Sequence, residues 1–167
     1  MQRWWMSLKP TAGNYLKDFK SINELFSKPI SNFKTIKLER TPCFGSCPVY
    51  KIEVSGTGKV KYNGEYFVEK KGAHTWQLSS KVVEQLNQLI TEIGYFTIKE
   101  KRQRGEFITI STCMASCITS VLLEDGSFRE IDNDYGENIY QRKLTTFEYK
   151  VDELIGVKEY IGNTDLP

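Results

Sequence analysis

The four cysteines offer the most chemistry in this sequence, and they come in two pairs. Cys43 and Cys47 form one Cys-x-x-x-Cys pair, and Cys113 and Cys117 form the other. Four thiolates in a tetrahedron make a typical structural zinc site, so this set is a candidate metal centre. The spacing is one residue longer than in the usual zinc knuckle. Disulfides Cys43–Cys47 and Cys113–Cys117 are therefore the alternative.

The other possible states of the cysteines have different consequences. A Cys43–Cys47 bridge would close a very short loop and stabilise the fold by about 2 kcal/mol. A reducing cytoplasm would oppose such a bridge, and buried, reduced thiols are a further interpretation. A redox dithiol has its attacking sulfur at a helix N-terminus, whereas Pro48 and Val49 lead into a strand. A thiol-based redox enzyme or sensor therefore stays open but has no supporting helix.

His74 is the only histidine, and it excludes several kinds of site. One imidazole cannot build a histidine-rich metal centre or a pair of histidines acting as acid and base. We expect a surface side chain in a loop that enters the first helix of the domain. A Cys–His nucleophile pair would need contacts that the sequence does not show. No phosphate-binding glycine loop and no Gly-x-Ser-x-Gly elbow is found, so the sequence favours a protein that is not an enzyme.

Alternating apolar and polar residues predict half-buried strands around these cysteines. Asn63-Gly64 predicts a type I′ hairpin turn, because both of its central positions need a positive φ. A further strand is expected through Tyr66, Phe67 and Val68. The other strands are predicted near residues 36–38, 50–54, 60–62, 107–111, 118–123 and 128–131. Short turns between neighbouring strands imply a mostly antiparallel sheet.

Two amphipathic helices complete the predicted domain. Ser79 or Ser80 caps the first helix and Gly94 ends it. The last helix has an apolar stripe and ends at Gly156. The stripe comprises Leu144, Phe147, Val151, Leu154 and Ile155. We therefore predict an α+β fold, a mostly antiparallel sheet covered on one face by two helices.

The chain divides by pattern into a leading segment and one domain. Residues 1–32 are predicted as an N-terminal helical arm that carries Trp4 and Trp5, two side chains that favour burial or a partner. Asn14 is a candidate cap for its helix. Residues 33–163 are predicted as a single α+β domain, in keeping with a length of 167 residues.

Composition limits the partners. The formal net charge is +2, from 23 basic and 21 acidic side chains. This balance is too weak for binding nucleic acid through phosphate neutralisation or for a polybasic membrane patch. No apolar run reaches the ~20 residues of a membrane span, and no signal-peptide stretch is seen, so we expect a cytoplasmic protein. The oligomeric state is not fixed by the sequence.

The stretch from Arg40 to Tyr50 reads RTPCFGSCPVY and resembles the opening motif of a bacterial domain of unknown function, family 6438. The likeness covers about residues 35–162. It continues through the glycine-bounded segment 58–64, the turn at residues 134–136, and a last helix with Leu144, Phe147, Glu148 and Asp152. The resemblance implies a compact α+β domain and supplies no reaction or catalytic residue. Relatives often carry the first cysteine pair alone, which favours a local bridge, and many relatives look exported.

These observations predict a non-catalytic binding or protein-interaction module with a cysteine-bearing loop. The expected partner is another protein, with no nucleic acid and no membrane. No cofactor is expected unless the four cysteines bind zinc. A structural zinc domain and a thiol-based redox enzyme or sensor are the alternatives.

Overall fold

The computed structural model describes residues 31–99, 114–135 and 141–162. The predicted N-terminal arm, its Trp4 and Trp5, and the strand expected at residues 107–111 lie outside the described residues. The described elements are β1 (Phe33–Arg40), β2 (Val49–Ser55), β3 (Lys59–Tyr66), β4 (Gly72–Gln77), α1 (Ser80–Ile93), a 3₁₀ turn (Tyr95–Thr97), β5 (Ser116–Leu123), β6 (Phe128–Asp134), α2 (Gln141–Ile155) and α3 (Lys158–Ile161).

The six described strands form one sheet in the order β4-β3-β2-β1-β5-β6. Every neighbouring pair is antiparallel, so the predicted α+β class with an antiparallel sheet is confirmed. β1 lies at the centre, with β2 on one side and β5 on the other. Residues at the end of β1 are therefore within reach of residues that are far away in the sequence.

The hairpin predicted at Asn63-Gly64 is wrong. Both residues lie inside β3, where Gly64 is paired with Tyr50 on one side and Gly72 on the other. Glycine is required at residue 64 by close packing and not by a turn, because an added Cβ would clash with the carbonyl oxygen of Lys70. The chain turns after Tyr66, so the strand expected at residues 66–68 is replaced by β4.

Helix α1 begins and ends where local chemistry predicts. The Ser79 side chain accepts a hydrogen bond from the Val82 N–H at the start of α1. Gly94 ends α1 in the left-handed conformation. α1 and α2 bury their apolar stripes against the sheet, and Tyr95 packs against Phe147 of α2 with ring centroids 4.8 Å apart. Strands and helices thus share a single core cluster.

The opposite face of the sheet carries a network of ion pairs between strands. Glu53 on β2 accepts from Lys61 on β3 at 2.7 Å and lies 3.7 Å from Lys37 on β1. Two residues earlier on β2, Lys51 contacts Glu39 on β1 at 2.9 Å. Period-two alternation places these charges away from the core. The two faces of the sheet therefore differ as the sequence pattern predicts.

Within the described residues, no helix combines the length and apolar character that a membrane-spanning segment needs.

Candidate functional site

The loop between β1 and β2 is closed by a disulfide bond between Cys43 and Cys47, whose Cα atoms are 5.7 Å apart. Phe44 follows the first cysteine and is 91% exposed. Gly45 and Ser46 are exposed as well, whereas the two cysteines are half-buried. The bridge therefore holds a short loop that displays an aromatic side chain to solvent.

Three other large apolar side chains are exposed at the same end of the sheet. We name this end, where β1 stops and β2 starts, the loop end. Tyr66 lies opposite Val49, the first residue of β2, and Phe67 follows Tyr66. Met114 comes two residues before β5, whose start is paired with the end of β1. Exposed apolar groups collected in one region mark an interaction site more often than scattered ones do.

Phe67 adds a backbone observation to the loop end. It is the described residue other than glycine that has a positive φ, at 53°, and its side chain is 52% exposed. A bulky residue in the left-handed region costs about 1–2 kcal/mol. Such conformations occur preferentially at functional positions. The strained residue therefore lies among the exposed apolar groups.

A buried arginine fixes the two stems of the bridged loop. Arg40, the last residue of β1, is 2% exposed and donates from Nε to the hydroxyl of Tyr50 on β2 at 2.9 Å. Its Nη2 donates to Oδ2 of Asp152 on α2 at 2.7 Å, and Asp152 is 3% exposed. Such a charge-assisted pair is among the stronger hydrogen-bonded contacts in proteins. Arg40 therefore ties both loop stems to α2.

The same arginine extends this network toward β6. Nη1 of Arg40 donates to the hydroxyl of Tyr135 at 2.8 Å, and that hydroxyl donates to Oε2 of Glu148 at 2.7 Å. Asn133 donates to Oε1 of Glu148 at 2.9 Å. We name Arg40, Tyr50, Asn133, Tyr135, Glu148 and Asp152 the buried clamp. It joins β1, β2, β6 and α2 below the loop end.

Burial dominates the electrostatics of the clamp. It raises the pKa of Glu148 to about 7, although the hydrogen bonds from Tyr135 and Asn133 oppose the rise. Burial also raises the pKa of Asp152, and the Arg40 guanidinium opposes that rise. The ionisable groups are thus engaged with each other inside the protein.

The structure separates the four cysteines into different settings. Cys43 and Cys47 are joined to each other, and Cys117 carries a free thiol on β5 that is fully buried. Burial raises the pKa of this thiol well above its ordinary value. Cys113 lies outside the described residues. The four-cysteine zinc site therefore stays a prediction, and so does any bridge from Cys113.

The sequence predicts a loop at His74, and this prediction is wrong. His74 lies on β4, half-buried, with its Nε2 3.1 Å from the carbonyl oxygen of Lys71. Its ring packs edge-on against Tyr160. Three strands separate β4 from β5, so His74 and Cys117 are not brought together as a nucleophile pair.

The parts of the chain that the structure describes contain no group of three or more His, Cys, Asp and Glu side chains arranged to hold a metal ion.

The buried clamp is the part of the site that sequence reasoning missed. Arg40 and Asp152 are 112 residues apart, so no local pattern joins them. A signal was nevertheless present in α2. Glu148 and Asp152 are spaced by four and lie next to Phe147 and Val151 of the apolar stripe, on the face that must be buried. Two carboxylates on a buried helical face indicate a buried partner.

The comparisons with known proteins point to one family. A family model described as a domain of unknown function, DUF6438, matches residues 34–155. The match contains the bridged loop and every residue of the buried clamp. Among curated proteins, none matches the chain.

Proposed function

The chain belongs to the DUF6438 family, whose description names no activity, and we propose from its own residues that it is a non-catalytic protein-binding module. Its binding surface is the loop end of the sheet, and Phe44 is the central contact. The expected partner is a protein with an apolar pocket that accepts an aromatic ring. The observation that carries this proposal is the near-complete exposure of Phe44 on a loop that is both bridged and clamped.

The exposure of Phe44 supports binding on energetic grounds. Burying a phenylalanine side chain is worth roughly 1.5–3 kcal/mol. Aromatic side chains that can gain this free energy on binding are frequent central contacts of protein interfaces. Phe128 is a useful contrast, because it is also exposed, at 61%, but lies at the opposite end of the sheet with no other exposed large apolar side chain described beside it.

The bridge and the clamp support the proposal through preorganisation. A loop that is ordered before binding loses less conformational entropy when a partner binds. The Arg40–Tyr50 hydrogen bond fixes the stems, and the Cys43–Cys47 bridge closes the tip. The backbone that carries Phe44 is therefore restricted before a partner binds.

The burial of the ionisable cluster supports binding over catalysis. A catalytic acid or base must reach its substrate. Arg40, Glu148 and Asp152 are instead buried. Arg40 donates to Asp152, and the Tyr135 hydroxyl links Arg40 to Glu148. Their arrangement suits a role in holding the loop end together.

A photo-cross-linking experiment tests the proposal. The photoreactive amino acid benzoylphenylalanine replaces Phe44 in the full chain, expressed in the cells that naturally contain it, and Phe128 is replaced in a matched control. We expect a discrete cross-linked protein with the probe at position 44 and none with the probe at position 128. The same products from both positions would contradict a binding surface at the loop end.

Affinity measurements with the cross-linked protein complete the test. F44A should weaken binding at least tenfold, corresponding to the loss of about 1.4 kcal/mol or more. F128A should leave the affinity within about twofold, because it lies outside the surface. Equal affinities for the wild type and F44A would refute the proposal.

Two alternatives assign the cysteines another role. They are a structural zinc domain built on Cys43, Cys47, Cys113 and Cys117, and a thiol-based redox enzyme or sensor that uses a single activated thiolate. Mass spectrometry of the native and denatured protein separates them, because zinc adds mass and each bridge removes two hydrogens. A melting temperature unchanged in strong chelator would exclude the zinc domain. Slow alkylation of every thiol would exclude the activated thiolate.

A further inference from the structure

Few backbone hydrogen bonds support the tip of the loop that the Cys43–Cys47 bridge closes. At the entrance, the Thr41 N–H donates to the carbonyl oxygen of Ser116 at 3.0 Å. Beyond that point, no backbone hydrogen bond outside the strands connects residues 42–48 with any described part of the chain. Within the described residues, the covalent bond between the two sulfurs is the cross-link that holds the loop tip and its Phe44.

The bridge is also accessible to small reagents. The three residues between the cysteines are exposed, and the cysteines themselves are half-buried. Residues 41–48 include no charged side chain that would repel an incoming thiolate. Cys117 differs in this respect, because it is fully buried in the core. We therefore expect a thiol reagent to reach the bridge without the protein unfolding.

From this exposure and this cross-link, we propose that the Cys43–Cys47 disulfide is a reversible switch that turns the binding surface at the loop end on and off. When the pair is oxidised, the loop tip is ordered and Phe44 is held in the conformation that binds. When the pair is reduced, the loop tip loses its order and Phe44 is no longer held in that conformation. The inference rests on the proposed function for its effect on binding. The opening of the loop itself requires no partner.

The switch operates by thiol–disulfide exchange with a thiol of the glutathione or dithiol-protein class. A thiolate attacks one sulfur of the bridge, breaks the S–S bond and forms a mixed disulfide, and the other cysteine leaves as a thiolate. A second thiol resolves the mixed disulfide. In total, two thiols donate two electrons and two protons, the pair becomes two free cysteines, and the reductant leaves as its disulfide. The reverse reaction with that disulfide restores the bridge.

Reduction leaves the rest of the fold in place. The pairing of β1 with β2 runs from Thr35–Ser55 to Arg40–Tyr50 and does not include the bridged residues. The clamp residue Arg40 still contacts Tyr50 and Asp152 when the sulfurs separate. The loss of order is therefore confined to the loop tip.

Thiol labelling in redox buffers tests the exchange step. The full chain carries C113S, so that only Cys43, Cys47 and Cys117 can react, and it is equilibrated in glutathione buffers of increasing reducing power before native alkylation. We expect Cys43 and Cys47 to gain labels together and to lose them again on reoxidation, while Cys117 stays unlabelled. A pair that resists reduction until Cys117 is labelled at the same rate would show a purely structural bridge and overturn the switch.

NMR relaxation tests the structural consequence. Reduction, or the double substitution C43S/C47S, should lower the backbone amide order parameters of Cys43 to Cys47 to below about 0.6, the range of flexible segments. Amides of β1 and β5 should keep their order parameters. Unchanged order parameters in the loop would overturn the inference, because the bridge would then not be what orders it.

Binding measurements separate the failure of the switch from the failure of the proposed function. With the cross-linked partner, C43S/C47S should bind at least tenfold more weakly than the oxidised chain. If F44A weakens binding but C43S/C47S does not, the binding surface stands and the switch is wrong. If neither substitution weakens binding, the proposed function is wrong, whatever the labelling shows.

Discussion

Phe67 is a residue whose backbone works against the stability of the fold. Its φ of 53° lies in the left-handed region, which suits glycine and disfavours residues with a Cβ. Half of its side chain is exposed, so packing in the isolated domain offsets only part of the free-energy cost of this backbone conformation. A partner that contacts the ring would explain why a large apolar residue occupies this turn.

Two substitutions of Phe67 isolate the strain from the side chain. F67A and F67G both remove the ring, but only F67G removes the Cβ. We expect F67G to be more stable than F67A by about 1 kcal/mol, as measured by urea unfolding. Both substitutions should weaken partner binding to a similar degree. Equal stabilities would show that residue 67 carries no backbone strain.

At the scale of elements, the buried clamp connects strands to a helix that lies far away in the sequence, since Arg40 and Asp152 are 112 residues apart. The ion pair between Arg40 and Asp152 is its charged centre. Removing one of these two residues leaves the charge of the other buried without a partner, which typically costs 3–5 kcal/mol. Replacing both members with apolar residues avoids that penalty. The pair therefore offers a double-mutant cycle with a clear expectation.

The cycle uses R40M, D152L and the double variant. Each single substitution should lower the free energy of unfolding by about 3 kcal/mol or more. The double variant should lose less than the sum of the two by at least about 1 kcal/mol, since neither charge is then left alone. Urea unfolding at neutral pH measures all four proteins. Strictly additive losses would mean that Arg40 and Asp152 act independently.

The elements also show which parts of the structure are readable from the sequence. The boundaries of α1 were predictable because Ser79 and Gly94 act on neighbouring backbone groups. Asn63-Gly64 misled the prediction because Gly64 is required by a contact with the Lys70 carbonyl, which a local turn rule does not include. The β3–β4 pairing and the clamp depend on contacts between distant segments, so a local pattern could not supply them.

The candidate site was readable in part for the same reason. The cysteine pair at residues 43 and 47 marked the loop directly, because its spacing is local. The exposed set around it was not apparent, because Tyr66 and Met114 join Phe44 only through the strand order. The loop predicted for His74 is wrong because β4 is defined by its pairing with β3, a contact that a local pattern does not include.

At the scale of the whole molecule, the clamp makes stability depend on pH. Glu148 has an ordinary pKa of 4.5, and burial raises it to about 7 in the folded protein. The titratable groups coupled to it are Arg40 on β1, Tyr95 after α1, Cys117 on β5, Tyr135 after β6, and Tyr149 and Asp152 on its own helix. Between these two pH values the unfolded chain releases the proton while the folded chain retains it. Stability from this group is therefore present below about pH 4.5 and lost as the pH rises to about 7.

E148Q tests this dependence, because glutamine stays neutral. We expect the free energy of unfolding of E148Q, relative to the wild type, to rise by about 2–3 kcal/mol between pH 4.5 and pH 7.5. Urea unfolding at several pH values gives both curves. Parallel curves for the two proteins would show that Glu148 ionises in the folded state as readily as in the unfolded chain.

The charges on the outer face of the sheet have a consequence for how the chain finds its alignment. A slip of β1 against β2 by one residue would turn the apolar side chains toward water. A slip by two keeps the faces but sets Lys37 opposite Lys51 in one direction, or Glu39 opposite Glu53 in the other. Exposed ion pairs add little to the stability of the finished fold. These four residues nevertheless destabilise both two-residue misalignments through like-charge repulsion, so they favour the correct register of β1 and β2 during folding.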